Sequence, residues 1–352
     1  MDMETQQDLH VRVEGRVGRI TLTRPQALNA VSHPIVDAMT QALKAWERDD
    51  AVAFVLVDAE GGKAFSAGGD LAYVYRCGKA GDIEAPNRFW RDEYRLNALI
   101  DRYSKPYVAV MDGIVMGGGV GISGHGSHRI VTDNSMVAMP ECAVGLVTDV
   151  GGSWLLRNAP GHMGEYLGLT GARMKGEDAI YAGFADFYVH RARLADLKAA
   201  LVEAGDLAPL DHFAEAPPAS ALATHQTSVD RIFSASSVPG IMDRLRADGS
   251  DWALDALSAI ARGSPLSAIM ILSVIRDAAS METALRNEYR FVSRVLEQGD
   301  FLEGIRAIVI DKDRRPVWLH RDIASVPADL VALMRREAEG GDLDLLNWED
   351  KP

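Results

Sequence analysis

Residues 107–121 read Y-V-A-V-M-D-G-I-V-M-G-G-G-V-G, an apolar run that leads directly into a glycine-rich turn. The run Tyr107–Met111 predicts a buried strand, and the residues after the glycines are compatible with a helix. Residues 54–71 repeat this order, with the apolar run Phe54–Val57 followed by K-A-F-S-A-G-G-D-L at 63–71. Glycine lets backbone N–H groups approach a ligand closely. Two such turns could therefore direct two N–H donors at one oxygen, as in an oxyanion hole.

A third segment, residues 138–152, reads A-M-P-E-C-A-V-G-L-V-T-D-V-G-G and contains two acids in otherwise uncharged sequence. Glu141 and Asp149 are therefore either buried and paired or directed at a substrate. Shielded carboxylates of this kind suit groups that hold or move protons or attack a substrate. The alternative from the residues alone is structural, with Glu141 capping a helix and Asp149 ending a turn.

Outside these segments, strand and helix patterns alternate along the first half of the chain. Alternating apolar residues around Gly15 predict a hairpin over His10–Arg24, and Ser32 with Pro34 predicts a helix ending near Arg48. The alternation continues to about residue 190 and predicts an α/β fold.

The helix predictions continue beyond these segments. Residues 86–103, 150–159 and 165–169 read as helices, and the sequence becomes mainly helical after His190. Residues 209–220 are rich in proline and alanine, which predicts a linker or loop. We predict two domains, residues 1–190 and residues 191–352.

Composition excludes several classes of function. The net charge of −13 over 352 residues argues against nucleic-acid binding, and 47% hydrophobic residues support a large core. The two cysteines, Cys77 and Cys142, provide no disulfide framework and suit a reducing compartment. Cys142 beside Glu141 is expected to be a packed thiol, with a nucleophile as the alternative. His125 and His128 lack acids or cysteines at ligand spacing, so no metal site is predicted.

The first residues, M-D-M-E-T-Q-Q-D, are acidic and lack the apolar stretch of a signal or transit peptide. No apolar run approaches the roughly 20 residues that span a bilayer. The sequence therefore predicts a cytoplasmic protein with no membrane partner.

These segments together resemble the crotonase (enoyl-CoA hydratase/isomerase) superfamily over roughly residues 10–190. Within it, the chain is similar to the 3-hydroxyisobutyryl-CoA hydrolase family in residues 61–70, 105–121 and 139–152. Residues 301–318, F-L-E-G-I-R-A-I-V-I-D-K-D-R-R-P-V-W, also resemble the C-terminal signature of that family. The resemblance implies a β-β-α spiral core followed by a mainly helical C-terminal region.

The resemblance also implies catalytic residues. Enoyl-CoA hydratases place one catalytic glutamate two residues after the glycine triplet, where this chain has Gly121, and a second at the position of Glu141. The hydrolase family instead assigns catalysis to Glu141 and Asp149. Its oxyanion hole corresponds to the backbone N–H groups of Gly69 and Gly118. Glu141 would attack the thioester or activate water, and Asp149 would bond the 3-hydroxyl group of the acyl chain or position water.

The coenzyme A part of the substrate is expected along residues 29–30 and 63–68. The substrate-binding positions carried over from the family are Ala64, Phe65, Ser66, Gly68 and Gly121, with Lys63 and Arg24 as phosphate partners. The basic residues Lys312, Arg314 and Arg315 form either a solvated turn or a phosphate clamp. Thr148 stands where the hydrolases usually carry proline.

The expected activity is hydrolysis of a short 3-hydroxyacyl-CoA thioester, most of all 3-hydroxyisobutyryl-CoA in valine catabolism. The alternatives are an enoyl-CoA hydratase, isomerase or other crotonase reaction, and a non-catalytic CoA-binding protein. The resemblance implies an acyl-CoA substrate and no separate cofactor. It also implies a homo-oligomer, either a trimer or a hexamer.

Overall fold

Ten strands lie within residues 8–345, the part of the chain that the computed structural model describes. They are β1 (Leu9–Glu14), β2 (Val17–Leu22), β3 (Phe54–Ala59), β4 (Ala64–Ser66), β5 (Tyr107–Met111), β6 (Ile114–Met116), β7 (His128–Val131), β8 (Met136–Ala138), β9 (Met174–Lys175) and β10 (Phe187–Tyr188).

The helices of the first half are α1 (His33–Glu47), α2 (Leu71–Ala80), α3 (Glu84–Asp101), α4 (Gly118–Gly121), α5 (Gly152–Arg157), α6 (Met163–Thr170) and α7 (Gly176–Tyr181). Those of the second half are α8 (Leu194–Ala204), α9 (Ala208–Phe213), α10 (Ala221–Phe233), α11 (Val238–Asp248), α12 (Asp251–Arg262), α13 (Pro265–Asp277), α14 (Met281–Gln298), α15 (Phe301–Ile305) and α16 (Ala328–Met334).

The strands form two sheets, ordered β1-β2-β3-β5-β7-β10 and β4-β6-β8-β9. The β1–β2 and β8–β9 pairs are antiparallel, and the other neighbours run parallel. Consecutive strands (β3 and β4, β5 and β6, β7 and β8) alternate between the sheets, and helices follow the second strand each time. This is the β-β-α repeat that the resemblance implies, so the α/β crotonase-like fold is confirmed.

Apolar composition explains the position of the central strands. Every residue of β5 is buried, as are Phe54–Asp58 of β3, which is typical of parallel strands covered on both faces. The core on one side joins β3, β5 and β7 to the apolar stripe of α8, through Phe54, Leu56, Val108, Val110, Ile130, Leu197 and Leu201. The N-terminal hairpin is confirmed, with Leu9 opposite Leu22 and Glu14 opposite Val17.

The contacts cluster into two compact units. The first comprises the chain through Gly69, Leu96–Ala138 and Arg173–Thr224, and it contains both sheets. The second comprises Asp70–Arg95, Met139–Ala172 and the chain from His225 onward. These units do not follow the predicted division at residue 190, because segments from the first half cluster with the C-terminal helices. That division remains a prediction about the extent of the family core.

The second unit is built on helices with serine caps and strongly apolar faces. Ser264 and Ser280 accept hydrogen bonds from the backbone N–H groups of Ser267 and Thr283, which stabilises the first turns of α13 and α14. The buried face of α14 follows helical spacing, with Met281, Ala284, Leu285, Val292 and Val295 inside.

Two local predictions are wrong in part. Residues 209–220 were predicted as a linker or loop, which is confirmed for 214–220, but α9 occupies Ala208–Phe213 because Pro209 is tolerated in a first turn and Leu210 is buried. The helix predicted over 150–159 begins at Gly152, since Val150 and Gly151 have φ values of 55° and 76°. A left-handed backbone cannot belong to a right-handed helix.

Within the described residues, no single helix is long and apolar enough to cross a membrane. The adjacent helices α12 and α13 meet that length and composition test only as a pair, across a bend of 111°.

Candidate active site

The two glycine turns predicted to form an oxyanion hole lie side by side in the first unit. Strands β4 and β6 are parallel neighbours, so the turns after them leave the same end of the sheet. A side chain added at Gly68 would lie 3.3 Å from the carbonyl oxygen of Met116 and 3.8 Å from the nitrogen of Gly118. One added at Gly119 would lie 2.4 Å from the carbonyl oxygen of Ser66. Glycine is therefore required for this close approach.

The two predicted oxyanion donors belong to these turns. Gly69 forms a parallel bridge with Val31, and the N–H of Val31 donates to the carbonyl of Gly68 at 2.8 Å. Gly118 is the first residue of α4, where a backbone N–H has no acceptor within the helix. The structure thus brings the two predicted amides into neighbouring turns of one unit.

The predicted CoA-binding positions also lie in the first unit. Ala64, Phe65 and Ser66 form the buried strand β4, which leads into the turn at Gly68. The buried side chain of Asn29 donates to the carbonyl oxygens of Glu60 and Ala64, at 3.0 and 2.9 Å, and so ties residues 29–30 to this strand.

The other predicted substrate positions differ in their surroundings. Gly121 is buried at the end of α4. Lys63 is exposed, and its carbonyl oxygen accepts a hydrogen bond from the N–H of Ile114. The guanidinium of Arg24 lies 3.8 Å from the Asp8 carboxylate, so a phosphate at Arg24 would compete with that ion pair.

The second unit contains the two predicted catalytic acids and two more, which together form the acid cluster (Glu93, Glu141, Asp149 and Glu288). Their exposed fractions are 2%, 4%, 5% and 0%, so all four carboxylates are buried. Burial of several like charges is unfavourable unless some carry protons or are bound by donors. The isolated acids of residues 138–152 are therefore buried beside further acids.

Hydrogen bonds are distributed unevenly over the acid cluster. The hydroxyl of Tyr94 donates to Oδ2 of Asp149 at 2.9 Å, which orients that carboxylate. Oε1 of Glu93 and Oε2 of Glu141 are buried without a hydrogen-bond partner in the described residues. Buried polar atoms without partners are rare and commonly mark a place where a ligand or water binds. Asp149 is thus held in place, whereas Glu93 and Glu141 each keep an oxygen available.

Protonation is strongly perturbed throughout the acid cluster. Burial raises the pKa of Asp149 from 3.8 to about 7, and the Tyr94 hydrogen bond opposes this. Burial and then the charge of Asp149 raise the pKa values of Glu141 and Glu93 well above the ordinary glutamate value. Burial also raises the pKa of Glu288 to about 8, while hydrogen bonds from Ser153 and Gly151 lower it. Such perturbation is characteristic of groups that exchange protons during a reaction.

Cys142 follows Glu141 and was expected to be a packed thiol. The side chain is buried, and burial raises its pKa to about 12, which keeps it protonated and weakly nucleophilic. The N–H of Ser264 donates to its carbonyl oxygen at 3.0 Å, so Cys142 connects the Glu141 turn to the start of α13.

Three residues at or beside the acid cluster were not predicted from the sequence, namely Glu93, Tyr94 and Glu288, although a local signal exists for two of them. Glu288 lies on the apolar stripe of α14, between Leu285 and Val292, where helical spacing demands a buried side chain. Glu93 similarly lies on the buried side of α3 with Phe89 and Trp90. An acid on an apolar stripe is a signal for a functional or paired carboxylate. Tyr94 gives no comparable signal, because a buried tyrosine is common.

The basic residues Lys312, Arg314 and Arg315 are exposed in a loop after a π-helical turn at Arg306–Ile310. Lys312 and Arg314 have positive φ values of 59° and 56°. Arg306 fixes the loop through ion pairs with Glu303, Asp311 and Asp313 at 2.7–2.8 Å. The choice between a solvated turn and a phosphate clamp remains open.

Comparisons with known proteins agree on the family. A family profile described as Enoyl-CoA hydratase/isomerase matches residues 17–334. The mitochondrial 3-hydroxyisobutyryl-CoA hydrolase of Xenopus tropicalis is 40% identical over 330 residues, which are 90% of this chain and 86% of that protein.

Two solved structures are similar over nearly the whole chain. One, described as an enoyl-CoA hydratase from Rhodobacter sphaeroides 2.4.1, is 45% identical with a TM-score of 0.91 and covers 96% of this chain and 99% of its own. The other, described as a carnitinyl-CoA dehydratase from Mycobacterium thermoresistibile, is 42% identical with a TM-score of 0.93 and covers 97% and 100%.

Proposed function

Since this chain belongs to the enoyl-CoA hydratase/isomerase family, we propose that it hydrolyses the thioester of 3-hydroxyisobutyryl-CoA to 3-hydroxyisobutyrate and CoA. The observation that carries this proposal is the pair Glu141 and Asp149, buried together in the second unit with an oxygen of Glu141 left without a partner. A buried carboxylate with an unsatisfied oxygen suits attack on a carbonyl or activation of water.

Glu141 has two possible roles in the reaction. In the first, its ionised carboxylate attacks the thioester carbon, CoA leaves as the thiolate and takes a proton, and water cleaves the resulting anhydride. In the second, Glu141 removes a proton from water, which attacks the thioester directly. Both routes consume one water molecule and give a carboxylic acid and a thiol. Both also require the ionised form of Glu141, whose pKa burial raises.

The proposed oxyanion donors are the backbone N–H groups of Gly69 and Gly118. The family assigns them to the thioester oxygen, which becomes negatively charged as the carbonyl carbon is attacked. Backbone donors that are fixed before the reaction stabilise that charge without reorganising, and loss of one typically costs about 3–4 kcal/mol in the barrier. The packing of glycines in these turns supports the assignment, since it brings the backbones of the two turns close together.

Asp149 and Glu93 are proposed to bind the polar end of the acyl group or the attacking water. Tyr94 fixes one oxygen of Asp149. Glu93 has a buried oxygen without a partner among the described residues, and the charge of Asp149 acts on this carboxylate. A 3-hydroxyl group or a water molecule would satisfy these acceptors by donating hydrogen bonds. Sites built in this way discriminate strongly against analogues that lack the hydroxyl.

Hydration or dehydration of a double bond is the second candidate, because the two similar solved structures are described as a hydratase and a dehydratase. Gly121 argues against this reaction, since it occupies the position of the first catalytic glutamate in enoyl-CoA hydratases and has no side chain to move a proton. The acid cluster lacks a replacement from that turn, which leaves hydrolysis as the better supported chemistry.

We expect purified protein to release thiol from 3-hydroxyisobutyryl-CoA faster than it hydrates crotonyl-CoA. Thiol release is measured with a chromogenic disulfide across short 3-hydroxyacyl-CoA esters, and hydration by loss of enoyl absorbance. Faster hydration than any hydrolysis would overturn the proposal, and activity in neither assay would favour a CoA-binding protein.

Assembly and compartment remain proposals. We propose a homo-oligomer, a trimer or a hexamer, and light scattering at micromolar concentration tests this, with a monomer mass contradicting it. The sequence-based prediction of a cytoplasmic protein lacks support from the comparisons, since the Xenopus relative is named as mitochondrial. Cell fractionation distinguishes the two compartments.

A further inference from the structure

We propose that Glu288 is a positioning residue that holds the turn after Asp149 and thereby fixes where the Asp149 carboxylate lies. Glu288 belongs to α14 and is completely buried, 139 residues along the chain from Asp149. The inference rests on the proposed function, because its kinetic readout is thioester hydrolysis.

Three hydrogen bonds connect Glu288 to this turn. Oε2 accepts from the backbone N–H of Gly151 at 2.8 Å. Oε1 accepts from the backbone N–H of Ser153 at 3.1 Å and from the Ser153 hydroxyl in a short hydrogen bond. Both oxygens of one carboxylate are therefore used on residues two and four positions after Asp149.

The turn requires such support because its backbone is unfavourable. Val150 adopts φ 55° and Gly151 φ 76°. A β-branched residue at positive φ is an outlier, and such a conformation persists only where the surroundings hold it. The Glu288 carboxylate supplies those surroundings. When it is removed, the turn is expected to relax and move the adjacent Asp149.

Glu288 also contributes its charge to the acid cluster. The ionisable groups that interact with it among the described residues are Asp149, Glu141 and Tyr94, and the groups that bind it directly are Ser153 and Gly151. Each neighbouring ionisable group is an acid, so an ionised Glu288 opposes ionisation of Glu141. A neutral residue at position 288 should therefore make Glu141 easier to ionise only above about pH 8, where Glu288 carries its charge.

The test compares Glu288→Gln and Ser153→Ala with the control Glu165→Gln. Glutamine keeps the shape of Glu288 but turns one acceptor into an NH₂ group, which cannot accept from a backbone N–H. Glu165 is a similarly buried glutamate of the second unit, bound by His162 and Arg276 at 3.0 and 3.3 Å rather than by the turn.

We expect Glu288→Gln to lower kcat about 10²-fold, the loss typical of a reacting group displaced by about 1 Å. Ser153→Ala removes one donor and should lower kcat about fivefold, which corresponds to one hydrogen bond of about 1 kcal/mol. In both variants KM should stay within about twofold. Glu165→Gln should leave kcat unchanged.

One further readout, amide hydrogen exchange, separates positioning from a loss of stability. Amide hydrogen exchange at positions 151 and 153 should accelerate in Glu288→Gln and, at position 153, in Ser153→Ala. These amides should be unaffected in Glu165→Gln.

The outcomes are decisive even if one variant fails. If Glu288→Gln does not fold, Ser153→Ala decides: an unchanged kcat and unchanged amide exchange overturn the inference. Wild-type kcat and unchanged amide exchange in folded Glu288→Gln overturn it as well. If the wild-type protein releases no thiol, the proposed function fails. In that case the amide exchange still tests whether Glu288 holds the turn.

Discussion

Replacing Glu141 with glutamine is expected to lower kcat for 3-hydroxyisobutyryl-CoA about 10³-fold or more, while CoA binding stays largely intact. The amide neither attacks a thioester nor accepts a proton from water, and these contributions alone are worth about 10²–10⁴-fold. Glutamine has the same shape and side-chain length as glutamate. Glu141 is not among the predicted CoA-binding residues, so the binding contacts should not change.

This variant should fold at least as well as the wild type. Burial raises the pKa of Glu141, because the folded chain disfavours its charge. A neutral amide removes that penalty. A loss of turnover with an unchanged or raised melting temperature would therefore be chemical rather than structural.

The measurements are kcat and KM by thiol release, CoA affinity by calorimetry and a thermal melt, with Glu165→Gln as the matched control. Turnover within about tenfold of wild type in Glu141→Gln would contradict the catalytic assignment and the hydrolase proposal with it. The two roles of Glu141 are separated by adding hydroxylamine during turnover. An anhydride intermediate would be trapped as a hydroxamate at Glu141, which mass spectrometry detects, whereas general-base catalysis leaves Glu141 unmodified.

The parts of this molecule that could be predicted from sequence are those set by neighbours along the chain. The apolar run Tyr107–Met111 and the glycines after it specify a strand and a tight turn through local rules, and the structure has both. The hairpin around Gly15 follows from alternation in the same way. The spiral order of the strands came from the resemblance, because periodicity does not determine which strands pair.

The acid cluster was only half predictable because its members come from distant segments. Tyr94 lies 55 residues before Asp149, and Glu288 lies 137 residues after Gly151. Local rules detect that an acid lies on the buried face of α14, but they do not reveal what it contacts. The positive φ of Val150 was also unpredictable, since valine ordinarily avoids that conformation and the Glu288 hydrogen bonds to the same turn come from a distant segment.

Replacing Asp149 with asparagine is expected to stabilise the protein at alkaline pH while greatly reducing its activity. Burial raises the pKa of Asp149 from 3.8 to about 7 in the folded state. A carboxyl group with a raised folded pKa stabilises most below its unfolded pKa, and this contribution is lost as the pH rises through the folded value. For Asp149 this contribution to stability is lost between about pH 4 and about pH 7. The full effect is about 4 kcal/mol, of which about 2–3 kcal/mol falls between pH 5 and pH 8.

The asparagine variant does not lose stability by ionising at position 149, and its side-chain oxygen still accepts the hydrogen bond from Tyr94. Its free energy of unfolding, measured by urea denaturation, should therefore exceed that of wild type by a margin that is larger at pH 8 than at pH 5. The control is Asp300→Asn, a buried aspartate of the same unit that accepts from Ser264 and Leu319 at 2.6 and 2.7 Å. It reports the effect of the same amide substitution at another buried, hydrogen-bonded position.

The kinetic half of the experiment assigns a role to Asp149. If Asp149 bonds the 3-hydroxyl group, Asp149→Asn should reduce kcat/KM for 3-hydroxyisobutyryl-CoA more than for isobutyryl-CoA. If Asp149 positions water, both substrates should slow equally. If the difference in free energy of unfolding between Asp149→Asn and wild type does not increase between pH 5 and pH 8, the folded protein does not disfavour the charged form of Asp149. Together with near wild-type turnover, this result would remove Asp149 from the reaction, because a carboxylate that costs no stability and supports no catalysis has no role in the acid cluster.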